Sequence, residues 1–256
     1  MSNLIDSHCH LYYEPYINNI QNTIDECKKN KVNKLLTIGV DIDTSKKNIE
    51  LANKYREIYC TVGIHPNSTR NLDKKEIIEI EKLVKSSKKI IGIGETGLDY
   101  FRDYDKKQQF YFFERQVEIS EKNNLPVVVH SRNAENDTLS VIKKYKNNKL
   151  NFVIHCFSGT MDFAIKCIEY ECFISFSGIL TFKKADSLRK ICKFIPDNKI
   201  LIETDSPYLS PEPYRGKINH PKNVKYIAEA MSKIRGCSLE DVYSLTTKNF
   251  KKVFGV

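Results

Sequence analysis

Two kinds of hydrophobic pattern take turns along the chain. Short runs rich in β-branched residues, such as VNKLLTIGV at 32–40 and PVVVHS at 126–131, are almost continuously apolar. Between them lie longer segments in which apolar side chains recur at steps of three and four. Ile77, Ile80, Leu83 and Val84 form one such stripe, and Phe110, Phe113, Val117 and Ile119 another. The first pattern predicts strands and the second amphipathic helices. Strands are predicted at 3–10, 32–40, 58–65, 89–95, 126–131, 150–157, 172–178 and 199–205, and two closing helices at 220–234 and 238–250. Continuously apolar strands suit a parallel sheet covered on both faces. Eight of them, separated by helices over 256 residues, predict an α/β fold of the (β/α)8 TIM-barrel type with an extra C-terminal helix. A doubly wound open sheet is the alternative. No Pro/Gly/Ser-rich linker interrupts the pattern, so residues 1–256 are read as one domain.

The candidate chemistry falls at the ends of these strands. DSHCH, residues 6–10, places two of the chain's six histidines two positions apart. In a strand, residues i and i+2 share a face, so His8 and His10 project together and Cys9 faces away. One such pair is as readily structural as metal-binding. The remaining candidates shift the balance: His65 ends the third strand, Glu95 the fourth, His130 the fifth and His155 the sixth, and Asp205 follows the eighth. In a barrel, these ends converge on one mouth. Such a set exceeds the needs of one tetrahedral zinc. It suits two divalent ions bridged by a carboxylate and a hydroxide, with Glu95 the candidate bridge. Ligands of nitrogen and oxygen without thiolate fit Mg2+, Zn2+ or Mn2+ alike.

Composition adds less. The net charge of +9 would suit a polyanionic partner, but 33 of the 41 basic residues are lysines scattered over helix faces. The eight cysteines form no CxxC pair and fall in apolar runs, as expected of free thiols in a reducing compartment. No run of about 18 apolar residues is present, so no membrane span is expected. The N-terminal segment has none of the features of a signal peptide, and a cytoplasmic location is expected.

Taken in order, DSHCHL, GIHP, GIGETGLDYFRD, PVVVHSR, IHCFSG and IETDSPYLSP resemble the motif series of the TatD family of metal-dependent deoxyribonucleases. The resemblance runs the length of the chain. It implies an amidohydrolase-type TIM barrel with a one- or two-metal centre that hydrolyses phosphodiesters, often as a 3′→5′ exonuclease. By motif position it implies the metal ligands His8, His10, Glu95, His130, His155 and Asp205, with His65 meeting the substrate phosphate. One departure is visible: Asn67 stands where the family often carries a second histidine or other polar group after GIHP.

On this reading Asp205, Glu95 and His65 act in the reaction. His65 and Arg132 bind substrate, which is DNA and in the wider case RNA, and the protein acts as a monomer. Asp99 either orients a ligand or caps the turn before the helix at 105, and Arg132 is as readily a surface ion-pair partner. Arg215, Lys217 and Asn219 are candidates for backbone contacts in the loop after the last strand. GIGETG (92–97) fits a dinucleotide fingerprint only literally, because LDYFRD intervenes before any helix. Phe110 and Phe113 are read as packing, His220 as a cap, and Cys156 as core. Three functions remain: a nuclease, a small-molecule or aminoacyl-tRNA ester or amide hydrolase of the amidohydrolase type, and a non-catalytic binding protein. Many amidohydrolases bridge their metals with a carboxylated lysine, and Glu95 at the fourth strand disfavours that branch.

Overall fold

The computed structural model describes residues 3–102, 105–145 and 150–256. Eight strands form one sheet in the order of the chain: β1 (Leu4–Cys9), β2 (Val32–Thr37), β3 (Ile58–Val62), β4 (Ile90–Asp99), β5 (Val127–Arg132), β6 (Phe152–Ile154), β7 (Phe173–Phe176) and β8 (Ile200–Ile202). Every neighbouring pair is parallel. The ring closes between its first and last strands. Cys9 bridges Ser206, the His10 amide donates to the Ser206 carbonyl at 2.8 Å, and the Asp205 amide donates to the His8 carbonyl at 2.9 Å. The predicted TIM barrel therefore forms, and its seam carries three predicted site residues, His8, His10 and Asp205.

The intervening helices are α1 (Ile20–Lys29), α2 (Ile42–Lys54), α3 (Glu76–Val84), α4 (Lys106–Asn123), α5 (Glu135–Lys144), α6 (Met161–Glu169) and α7 (Asp186–Phe194). After β8 come α8 (Val224–Arg235) and α9 (Leu239–Phe254). Local chemistry sets several of their ends. Reciprocal capping boxes open α2 (Asp41 with Thr44) and α9 (Ser238 with Asp241). Each satisfies amides that the first turn leaves unpaired.

The apolar strands divide their side chains between two layers, as a strand buried on both faces must. Val127 and Val129 join the outer core against the helices, whereas Val128 joins an inner cluster with Ile5, Leu36, Ile91, Phe173 and Leu201. Phe250, Val253 and Phe254 of α9 belong to that inner cluster. The extra C-terminal helix is thus the stopper at the end of the barrel away from the site. Burial of each of these side chains contributes about 1.5–3 kcal/mol.

All eight strands differ from their predicted bounds, β2 and β3 by ending at Thr37 and Val62, and three others differ for reasons visible in the backbone. β6 and β8 stop after three residues, because Cys156 and Asp205 adopt positive φ (45° and 55°) and turn the chain away. β4 runs on to Asp99 through an irregularity between Ile93 and Thr96. Around Phe110 the helix stripe also differs: Gln109, Phe112, Phe113, Gln116 and Val117 are buried, and Phe110 is only half-buried.

His220 is a cap, as expected. Its Nδ1 accepts from the Lys222 amide at 3.2 Å. Burial, then the nearby Lys222 charge, lowers its pKa from 6.5 to about 4. The folded state therefore favours the neutral ring. That stability is present above pH 6.5 and is lost as pH falls toward 4, by at most about 1.4 kcal/mol per pH unit. His220→Asn keeps a capping oxygen, and it is expected to flatten the stability profile in this window when denaturation is followed at stepped pH.

Candidate metal centre

The strand ends bring all seven predicted residues into one cluster, six of them lining a cleft and His8 buried beneath it. Strand alternation alone does not explain how His8 and His10 reach the cluster. Ile5 belongs to the inner core cluster and Cys9 to the outer one, although they have the same parity. The difference comes from a register shift between Asp6 and Cys9 that breaks the alternation. Asp6 anchors this irregular stretch, its carboxylate accepting from the amides of His8 (3.3 Å) and Thr204 (2.8 Å).

Glu95 lies at the middle of the cluster. Its Oε1 is 2.9 Å from His130 Nδ1, 2.8 Å from His155 Nε2 and 3.3 Å from His65 Nε2. Its Oε2 faces the other way, 3.4 Å from His8 Nε2. Asp205 Oδ1 completes the second group, 3.3 Å from His10 Nε2 and 3.6 Å from His8 Nε2. One carboxylate oxygen of Glu95 thus faces three imidazoles and the other a fourth. Ligand atoms of His8, His155 and Asp205 lie within 4.8 Å of one another, as do those of His8, His10 and Glu95, and those of His65, Glu95 and His130.

The outer partner of each ring fixes which nitrogen faces the centre. A carbonyl or carboxylate accepts only, so the nitrogen it holds carries the proton and the other keeps its lone pair. The Ile38 carbonyl lies 3.4 Å from His10 Nδ1, Asp99 Oδ2 3.2 Å from His130 Nε2, and Glu203 Oε1 3.2 Å from His155 Nδ1. In the neutral form of each ring so held, the nitrogen facing the centre would keep its lone pair for a cation. His65 has the opposite polarity. Its Nδ1 accepts from the Asn67 amide at 3.0 Å, so the neutral ring presents an Nε2–H. Although its position is within reach of a metal triad, that polarity suits a donor to a phosphoryl oxygen.

His8 tests whether the group fits a metal. The side chain is fully buried, and neither ring nitrogen has a hydrogen-bond partner among the described residues. A buried polar atom left in that state costs about 1–3 kcal/mol. A cation held by His8 would satisfy one of the two. The local field points the same way. Burial opposes charge on Glu95, yet the His155 and His65 imidazoles hold its carboxyl well below the usual range. Burial likewise opposes charge on His155, but Glu95 and Glu203 hold that imidazole well above its ordinary value. The donor set and its negative surroundings fit divalent cations held by nitrogen and oxygen.

Several supporting residues escaped the sequence reading. Glu203, two positions before Asp205, is fully buried; besides His155 it accepts from the Cys156 amide at 2.8 Å. Gln116 of α4 accepts from the Ile64 amide (2.7 Å) and donates to Thr96 Oγ1 (2.7 Å), fixing the segment that carries His65. Gln109 accepts from the Asp99 amide (2.9 Å) and donates to the Asp99 carbonyl (3.1 Å). Asp99 itself orients His130, and Asp105 caps α4. Gly97, at φ 135°, lets the strand pass His130: a Cβ there would lie 2.0 Å from the His130 carbonyl oxygen. Glu203→Gln is expected to weaken metal binding about 10–100-fold with the barrel intact, read by calorimetric titration of metal-free protein.

The cleft above has a volume of about 600 Å3. Arg102 and Arg132 line one wall, and the exposed Arg132 guanidinium stacks 3.7 Å above the Phe101 ring. Arg132 makes no ion pair among the described residues. Arg215 stacks on Phe182 at 4.2 Å, and Lys217 is exposed. Asn219, expected as a backbone contact, is instead buried, donating to the carbonyls of Thr204 (2.9 Å) and Tyr208 (2.7 Å). Cys156, expected in the core, lines the cleft, because its positive φ takes it out of the strand. All eight cysteines are free, and no helix among the described residues is long and apolar enough to cross a membrane.

Comparison with known proteins agrees with this geometry. The family model described as TatD related DNase matches residues 5–255. YabD of Bacillus subtilis, described as an uncharacterized metal-dependent hydrolase, is 34% identical over 254 residues, which span 99% of each chain. The crystal structure of YjjV, a TatD homolog from Escherichia coli K12, superposes with a TM-score of 0.94 at 22% identity, over 99% of this chain and 98% of that one. A TatD family hydrolase from Entamoeba histolytica gives 0.89 at 25% identity, again over 99% and 98%. With the sequence matched nearly end to end and a histidine–carboxylate cluster fit for divalent ions, the chain belongs to the TatD family of metal-dependent hydrolases.

Proposed function

We propose that this hydrolase is a deoxyribonuclease that removes nucleotides from the 3′ end of DNA and extends to RNA. The observation that carries the reading is an open cleft with Arg102 and Arg132 on its wall, directly over a cluster in which Glu95 faces four imidazoles. A phosphodiester backbone needs both parts: positive groups to hold phosphate, and a centre that activates water.

His8, His10, Glu95, His130, His155 and Asp205 would hold two divalent ions. When bound, such ions supply Lewis acidity that activates water and offsets charge building on phosphoryl oxygens. The chain's own residues do the rest. Asp205, at the edge of the cluster, orients the attacking water and takes its proton. Burial disfavours its charge, yet the His10 and His8 imidazoles keep its carboxyl below the usual range, so it enters the step ionised. Water oxygen bonds to phosphorus as the bond to the in-line 3′ oxygen breaks; that oxygen takes up the proton Asp205 accepted and leaves as a hydroxyl, while the released nucleotide keeps its 5′-phosphate. His65 donates its Nε2–H to a non-bridging oxygen, and Arg132 offers a two-pronged contact to a neighbouring phosphate.

The test is a substrate panel. Purified protein is incubated with 5′-labelled single-stranded DNA, RNA and small aryl esters, in Mg2+, Mn2+ or Zn2+. The expected result is a ladder of DNA products shortened from the 3′ end. Turnover of small esters with DNA left intact would replace this reading with the small-molecule one.

A further inference from the structure

One wall of the cleft carries aromatic surface that the proposed chemistry does not use. Tyr12 and Tyr13 follow β1, and Tyr208 follows Asp205 across the barrel seam. Tyr12 is buried and its hydroxyl lies 3.1 Å from His10 Nδ1, so it forms a fixed back wall. Tyr13 packs on it, with ring centroids 4.4 Å apart. Tyr208 meets Tyr13 nearly edge-on, at 6.1 Å and 78°, and each of the two rings lies 6.1 Å from the His10 ring. Tyr13 is 38% exposed and Tyr208 50%. Two crossed aromatic rings thus make an L-shaped notch, open to solvent beside a candidate ligand of the centre.

The notch is rigidly based. The Tyr208 amide donates to the Asp205 carbonyl at 2.9 Å, and its carbonyl accepts from the buried Asn219 at 2.7 Å. The cleft is also asymmetric: its guanidinium groups come from the ends of β4 (Arg102) and β5 (Arg132), whereas the tyrosines follow β1 and β8. Phosphates have charged partners on one side of the centre, and a flat apolar group has partners on the other. Aromatic side chains beside a backbone track are how sequence-tolerant sites hold the bases of an unpaired strand.

We propose that Tyr13 and Tyr208 form a base-stacking subsite for the unpaired nucleobase beside the scissile phosphodiester, a specificity element that rests on the nucleic-acid reading of the centre. Stacking needs ring faces and no hydrogen bonds to base edges, so the subsite discriminates base from no base rather than one base from another.

Two oligonucleotides test it, alike except that the last two 3′ sugars carry adenine in one and no base in the other. The wild-type enzyme is expected to cleave the base-bearing strand about five- to hundredfold more efficiently, chiefly through KM. Tyr13→Ala/Tyr208→Ala should erase that preference, and Tyr13→Phe/Tyr208→Phe should keep it. Fluorescence anisotropy with fluorescein-labelled strands and chelated protein reads the same preference without turnover. Equal handling of both strands by the wild type, or an unchanged preference in the alanine pair, overturns the proposal. Base-selective binding by a protein that cleaves no DNA supports the subsite and overturns the nuclease reading instead.

Discussion

Glu95→Ala is expected to lower turnover by at least about 10³-fold, well beyond the roughly 10–100-fold that loss of a ligand's outer partner costs. The reason is positional. Glu95 Oε1 lies within 3.3 Å of three imidazoles, and Oε2 faces a fourth. No other carboxylate among the described residues pairs with four imidazoles. Its removal should also change metal stoichiometry, so that calorimetric titration of the metal-free variant shows fewer or weaker binding events. The barrel core does not depend on this side chain, and circular dichroism should show native secondary structure. A variant with wild-type turnover and wild-type metal content would take Glu95 out of the centre.

Chelation is expected to have the second large effect, and on two readouts at once. Activity should vanish and return when a single divalent ion is added back. Stability should fall as well, because an ion that binds only the folded chain contributes about 4 kcal/mol when present at a thousand times its dissociation constant. For a chain of this size that corresponds to roughly 10 °C in the melting temperature. The His8 imidazole, whose nitrogens make no hydrogen bond among the described residues, is the group a bound cation would most directly relieve. Cleavage that persists in excess chelator, with an unmoved melting temperature, would contradict the metal assignment.

The fold and the meeting of the candidate side chains were legible because both are written in local patterns. Continuous apolar runs such as 126–131 announce strands covered on both faces, and potential ligands at their ends announce a mouth. What escaped depends on contacts between distant segments. Glu203 and Asp205 stand two apart in IETDSP, and nothing local tells which carboxylate reaches the centre and which supports His155 from behind. Gln109 and Gln116 look like solvent-facing positions of a helix; their amides are buried because Asp99 and Ile64 need partners that no neighbouring strand supplies. Cys156 and Asn219 exchanged their expected places for a similar reason. A positive φ turns Cys156 into the cleft, and carbonyls of the loop after β8 draw Asn219 inward. The break in β1 is equally invisible: HxH predicts a shared face, whereas the register shift after Asp6 decides which face it is.

The barrel seam has a consequence for how this protein comes into being. His10 and Asp205 meet across 195 residues of chain, joined by the hydrogen bonds that close the first strand on the last. A growing polypeptide that has emerged only as far as the seventh strand owns its imidazoles but not the acid that completes them. On the proposed ligand set, tight ion capture would come late in biogenesis and would signal to the experimenter that the ring has shut.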